Sequence, residues 1–309
     1  MEARPNAARA LRLPNARHAM TNPVTDLLSI LDLENIEVNL FRGRSPQVGW
    51  QRIYGGEVIG QALVAACRTV EDGRAPHSLH AYFILPGDPK VPVIYQIDRL
   101  RDGKSFATRH VTAIQHGAAI LTMTASFHRE EEAYIEHQMP MPNVPMPEDL
   151  RGNEEMEKKL MDMVPEQFRR FLQEERLLQL RPVEIERYLG KKLPDARCHI
   201  WFRVKSEMPD DPIVHRCALA YASDMSLLDA AMAPHGKTLF APDIMPASLD
   251  HALWFHRPFR ADEWMLYSQD TPTAGSGRGL GRGLIFRRDG QLVASSMQEG
   301  IVRKRRTIT

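Results

Sequence analysis

The chain has 309 residues, of which 43% are hydrophobic and 26% charged, enough apolar residues to bury one large or two ordinary cores. Lys and Arg number 40 against 39 Asp and Glu, and a net charge of +1 exerts no overall pull toward nucleic acid or an acidic membrane surface. No apolar run reaches the length of a membrane span. Cys67, Cys198 and Cys217 lie far apart and outline neither a disulfide framework nor a metal site. A reducing, cytoplasmic setting without a zinc site is therefore expected.

Residues 1–23 open with MEARPNAARALRLPNARHAM, which carries four Arg and a single acid. This is expected to be a disordered tail or an over-extended start with Met20 as the true beginning; a presequence is the alternative. Residues 24–136 form a first half. The segment IYGGEVIGQALVAA (53–66) has Ala and Leu at helical spacing. Segments such as VIYQIDRL (93–100) and AILTMTASF (119–127) mix β-branched, aromatic and polar residues, as half-buried antiparallel strands do. DG at 102–103 and HG at 116–117 mark turns. His77 and His80 are three apart on a predicted strand, so they are expected on opposite faces, in structural roles.

Residues 137–180 separate this half from the next. Pro140, Pro142, Pro145 and Pro147 predict an extended linker, and the charged run that follows, broken at Pro165, predicts one or two connecting helices. The second half, 181–309, repeats the first. YFILP (82–86) is answered by WFHRP (254–258), and Ile94-Tyr95 by Leu266-Tyr267 at the same spacing. HGAAILTMTASF (116–127) aligns with DGQLVASSMQEG (289–300), which sets Ala125 opposite Gln298. IYGGEVIGQALVAA resembles AYASDMSLLDAAM (220–232), which sets Glu57 opposite Asp224. A helix followed by a meander of strands, twice over, predicts an α+β pseudo-dimer.

Asp224 precedes Met225, Leu227 and Leu228, the position of a helix N-cap. Locally it reads as a cap or as a catalytic base. Ser248 alone reads as a loop serine and Gln298 alone as a solvated strand residue. Asp250 and His251 beside Ser248 invite a triad, but the chain has no GxSxG elbow. GSGRGLGRG (275–283) looks like a phosphate loop but lacks the GK[ST] ending, and its glycines are expected to serve close backbone approach in a strand and turn.

Across residues 24–303, GGEVIGQAL, HSLHAYFILPGD, LRDGKSFATR, TASFH, EHQMPMP, RPVE, YASDMSLL, LDHALWFHRPF and ASSMQEG occur in an order that closely resembles the acyl-CoA thioesterase II (TesB-type) family. The resemblance implies a double hot-dog fold, in which each half wraps an antiparallel sheet round a helix and the two sheets join. It implies hydrolysis of acyl-CoA to free acid and CoA, by a water that an Asp, a Ser or Thr and a Gln hold, without metal, cofactor or covalent intermediate. Carried onto this chain, the residues are Asp224, Ser248 and Gln298. An oxyanion donor is expected at the start of the helix after Asp224. Arg101, Lys104, Arg109, Arg278 and Arg282 are candidates for the CoA phosphates. Glu57 is expected to be a helix-start carboxylate without a catalytic role, and Ala125 to leave the first half inactive. A homo-oligomer is expected, and neither a nucleic-acid partner nor a membrane span. A non-catalytic acyl-CoA binding protein and a hot-dog hydratase or dehydratase are the alternatives.

Overall fold

The computed structural model describes residues 27–46, 51–150, 162, 177–193, 195–239 and 241–305. The expected tail and the body of the connecting helices lie outside these residues. In the first half, α1 (Leu27–Leu31), β1 (Glu34–Glu37) and β2 (Leu40–Gly43) precede α2 (Gly55–Cys67). Then come β3 (Ala75–Phe83), β4 (Val93–Asp102), β5 (Phe106–Gln115) and β6 (Ala118–His128). In the second half, β7 (Leu178–Pro182) and β8 (Cys198–Val204) precede α3 (Pro212–Ser223) and a 3-10 segment, Leu227–His235. The strands β9 (Ile244–Ser248), β10 (Asp250–Phe255), β11 (Met265–Gly275), β12 (Arg278–Arg287) and β13 (Leu292–Lys304) follow.

All strands belong to one antiparallel sheet of order β1-β2-β4-β5-β6-β3-β10-β13-β12-β11-β8-β7, with β9 paired to β13. The halves meet where β3 pairs β10, Asp250 opposite Tyr82 through Trp254 opposite Ser78. The turn signals fall where hairpins form: His116 and Gly117 take positive φ between β5 and β6, and Ser276 and Gly277 between β11 and β12.

α2 is buried almost all round, from Gly56 to Cys67. Its Leu and Ile side chains each contribute about 1.5–3 kcal/mol of burial. α3 starts on the Asp211 side chain, which accepts the Ile213 N–H at 2.9 Å, with Pro212 in the first turn. The helices cross antiparallel and close. A methyl on Gly56 would strike the Tyr221 carbonyl, and one on Gly60 would press on Tyr221 and Cys217. One large core fills the space between the helices and the sheet.

A second, smaller cluster lies elsewhere on the sheet: Trp201, Trp264, Leu266, Phe286 and Leu292. The Pro-rich linker covers it with Met141, Val144, Met146 and Leu150. Trp201 donates to the Pro145 carbonyl at 2.9 Å. Proline suits this extended strap because it needs no partner for a missing N–H.

Three sequence expectations change. Asp224 is not an N-cap: it immediately follows α3, at that helix's C-terminus, and the segment beyond it is 3-10. Glu57 is not its counterpart, since Glu57 sits in the first turn of α2. Ala and Leu at helical spacing recur throughout both helices and so fix no register between them. Thirdly, a bulge between Pro76 and Ser78 puts His77 and His80 on the same face. His77 meets the Ser126 hydroxyl at 2.8 Å, and His80 lies opposite Thr124, two residues along the same strand.

Candidate active site

The strand registers place the two halves in strict correspondence. Leu79 opposes Ala125, which opposes Arg109. In the second half Gln298 stands in the Ala125 position and opposes Gly281, and His251 stands in the Leu79 position of the neighbouring strand. Ala125 thus does occupy the Gln298 position, as the sequence repeat implied.

Gln298 is fully buried on β13. Its Nε2 donates to Asp224 Oδ1 at 2.7 Å and to Ser248 Oγ at 2.7 Å. Ser248 thus shares the Gln298 amide with Asp224, and its hydroxyl favours the Asp224 anion. The end of α3, the end of β9 and the middle of β13 therefore bring together three side chains that lie 24 to 74 residues apart.

The Asp224 environment is mixed. The C-terminus of α3 is the negative end of a helix dipole, which opposes the anion. The N-terminus of α2 supplies what its own helix does not: the Gly56 N–H acts on the carboxylate and lowers its pKa. Asp224 is half-buried. Desolvation raises its carboxyl to about 7, against the lowering effects of Gln298, Gly56 and Ser248. The expected oxyanion donor after Asp224 is lost to the fold: the Met225 N–H is taken by the Ala222 carbonyl at 3.1 Å.

A cavity of about 420 Å³ opens beside this group. Its walls come from both halves, Gly55, Phe83 and Ile120 from the first, and Ser248, Leu249 and Ile301 from the second. A methyl on Gly55 would lie 2.8 Å from Asp224 Oδ2, so the carboxylate sits directly behind the start of α2. Ile84 and Leu85 also line the cavity and are half exposed.

The five cations separate. Arg109 is 1% exposed and its guanidinium is consumed internally, by Thr69 Oγ1 and the Thr69, Arg101 and Thr108 carbonyls and by Asp102 at 2.5 Å. A phosphate has no access to it, which corrects the expectation for this residue. Arg101 and Lys104 are exposed on the β4–β5 hairpin, beside His128 at the far end of β6. Ile120, on the cavity wall, is about 25 Å away along that strand. Arg278 pairs with Glu299 at 2.9 Å and stands opposite the cavity residue Ile301. Arg282 forks onto Asp270 at 2.9 and 2.7 Å. Sequence reasoning missed Arg52, which lines the cavity, and Gly55 and Gly56, whose role is backbone approach. The GGEV motif held the glycine signal; nothing local marked Arg52.

The glycines of GSGRGLGRG hold no phosphate-loop geometry. Gly281 lets the 3-10 segment after Asp224 lie on β12, where a methyl would be driven into the Leu227 carbonyl. Asp250 accepts the Glu299 N–H at 2.6 Å, and His251 bonds Ser223, so no triad forms on Ser248. Among the described residues no His, Cys, Asp and Glu group is arranged to hold a metal.

A family model described as acyl-CoA thioesterase matches residues 168–301, and one described as acyl-CoA thioesterase N-terminal domain matches residues 41–128. The chain belongs to the acyl-CoA thioesterase family. Acyl-CoA thioesterase 2 of Haemophilus influenzae is 39% identical over 92% of this chain and 99% of its own length. Human acyl-coenzyme A thioesterase 8 is 39% identical over 89% of this chain and 88% of its own length. The crystal structure of the acyl-CoA thioesterase II TesB2 from Mycobacterium marinum superposes with a TM-score of 0.74 at 44% identity, over 90% of this chain and 98% of that one. The chain is thus a thioester hydrolase by family, with the double hot-dog α+β architecture that the resemblance implied and the repeat fits.

Proposed function

We propose that this protein hydrolyses acyl-CoA thioesters at the Asp224, Ser248 and Gln298 cluster, and that it does so with a water rather than a protein nucleophile. The observation that carries this reading is the Gln298 amide, which bridges Asp224 and Ser248 at 2.7 Å each. Asp224 takes the proton of the attacking water. Ser248 fixes that water's orientation toward the thioester carbonyl, and Gln298, bonded to both Asp224 and Ser248, holds the two in place. The oxyanion develops at the positive end of α2, whose first residue, Gly55, lines the cavity. CoA then leaves as its thiol and the acid is released. The apolar walls of the cavity suit the acyl chain, and Arg52 and Arg278 at this end of the sheet suit the phosphates.

Three buried, free cysteines fit the reducing cytoplasm as its compartment. No described helix is long and apolar enough to cross a membrane. A homo-oligomer remains our expectation; light scattering tests it, a mass of 35.2 kDa counting against it and a whole multiple of that for it.

The deciding experiment is thiol release from short, medium and long acyl-CoAs by wild type and Asp224→Asn. Rapid release by wild type with a fall of about 10²- to 10⁴-fold in the variant is expected. Tight acyl-CoA binding without release from any substrate would establish a binding protein instead.

A further inference from the structure

The candidate site leaves one buried side chain unexplained. His251, on β10, is 1% exposed. Its Nε2 lies 2.8 Å from Ser223 Oγ. Its Nδ1 has no hydrogen-bond partner, and neither has the buried Oε1 of Gln298, the residue that the β10–β13 register sets beside it. Both hydrogens of the Gln298 amide are already committed, one to Asp224 and one to Ser248. The leftover atoms are therefore the imidazole Nδ1 and the amide oxygen, and only a proton on Nδ1 satisfies both.

We propose that His251 is a positioning residue, held as the Nδ1–H tautomer by Ser223, whose hydrogen bond to Gln298 Oε1 locks the amide with its NH₂ toward Asp224 and Ser248. The inference rests on the function proposed above. Ser223 has one hydroxyl proton and two neighbours, His251 Nε2 at 2.8 Å and the Ala220 carbonyl at 3.1 Å. If the proton goes to Ala220, the imidazole must carry its own on Nε2. Nδ1 and Gln298 Oε1 then face each other as two bare acceptors, and a buried acceptor without a donor is strongly disfavoured. The amide would relieve this by turning over, which would aim its oxygen at the Asp224 carboxylate. With the proton on Nε2 of the ring withdrawn and supplied by Ser223 instead, every atom in the chain finds a partner. Burial lowers the His251 pKa to about 4, so the ring stays neutral and keeps a single tautomer through the working range. The first half, which lacks the glutamine, has Leu79 in the His251 position and Ala125 in the Gln298 position. The relay is built only where the amide needs it.

The test uses the full-length enzyme with His251→Leu, His251→Asn and His251→Gln. Leucine is the residue that the equivalent strand position already accommodates. Asparagine puts an N–H near the Nδ1 position, and glutamine puts one near Nε2. Expected is a fall in kcat of about 10²-fold for leucine with KM unchanged, recovery of most of kcat by asparagine, and none by glutamine. In a Gln298→Ala background the leucine substitution should cost nothing further. The histidine ¹⁵N spectrum should show the Nδ1–H tautomer. Unchanged kcat in His251→Leu, equal rescue by glutamine, additive losses with Gln298→Ala, or the Nε2–H tautomer would each overturn the relay. If Gln298→Ala itself keeps full activity, the function proposed for the cluster fails. If Gln298→Ala is inactive and the His251 variants are not, the relay alone fails. Should the leucine variant not fold, the asparagine and glutamine pair and the spectrum still decide.

Discussion

Asp224, half-buried, and Glu57, buried, are two acids with different fates. Desolvation raises both, Asp224 to about 7 and Glu57 to about 8. Asp224 accepts the Gln298 amide and lies behind Gly55, whose helix start lines the cavity, the setting that the proposed base needs. It must be ionised to act as a base. The value of kcat/KM is therefore expected to rise with pH and level off above about 7, and Asp224→Asn to abolish that limb; a flat wild-type profile would sink the assignment. Glu57 lacks such a setting: one carboxyl oxygen has no hydrogen-bond partner, and its environment includes Tyr95. Its folded value lies above the ordinary 4.5, so the fold holds its proton more tightly than the unfolded chain does. That contribution to stability is full below about pH 4.5 and is lost as pH rises through about 8. Glu57→Gln should leave kcat alone and make the protein more stable than wild type at about pH 9, by a few kcal/mol; thermal melts at several pH values measure this. At the cavity, Arg52→Ala is expected to raise KM for acyl-CoA about tenfold and leave kcat unchanged, as the loss of uniform binding does.

At the scale of elements, the decisive difference between the halves lies after the helix. The second half inserts a 3-10 segment, Leu227–His235, and seats it on β12 because Gly279 and Gly281 leave room there. The first half has Arg109 at the matching position, and its side chain fills that space through Thr69 and Asp102. Gly281→Ala forces the Leu227 carbonyl away and drags Asp224 with it. A loss of about 1–3 kcal/mol in stability is expected, with a larger proportional loss of kcat. Denaturant titration and thiol release check the two together; full activity in a destabilised variant would show that the segment does not position Asp224. The glycine-rich run was legible as a strand with close backbone approach. What approached it was not, because the Leu227 carbonyl comes from more than 50 residues earlier in the chain.

Across the whole molecule, the β3–β10 pairing makes two halves into one sheet, and α2 and α3 cross through small residues. The cavity is shared: α2 and β3 of one half wall it together with Ser248, of the proposed catalytic cluster, from the other. A half without its partner would expose the edge of β3 or β10 and one face of a buried helix. The protein is therefore expected to unfold in a single calorimetric transition whose van't Hoff and calorimetric enthalpies agree. Two resolved transitions would mean that the halves are stable alone.

The sequence by itself determined the repeat and the strands with their turns, since apolar periodicity and turn chemistry are local properties, and its ordered motifs carry the family and point to Asp224, Ser248 and Gln298. It also marked Ala125 as the position where the first half has no glutamine, because the repeat keeps its spacing from strand to strand and with it the register. Only the tertiary structure decided that Asp224 ends a helix, that Gly56 of the other half supplies its N–H, that Arg109 is buried, and that His251 faces Gln298. Those facts depend on how two helices cross and on which atoms remain unpaired after packing. Neither is encoded in the spacing of residues along one chain.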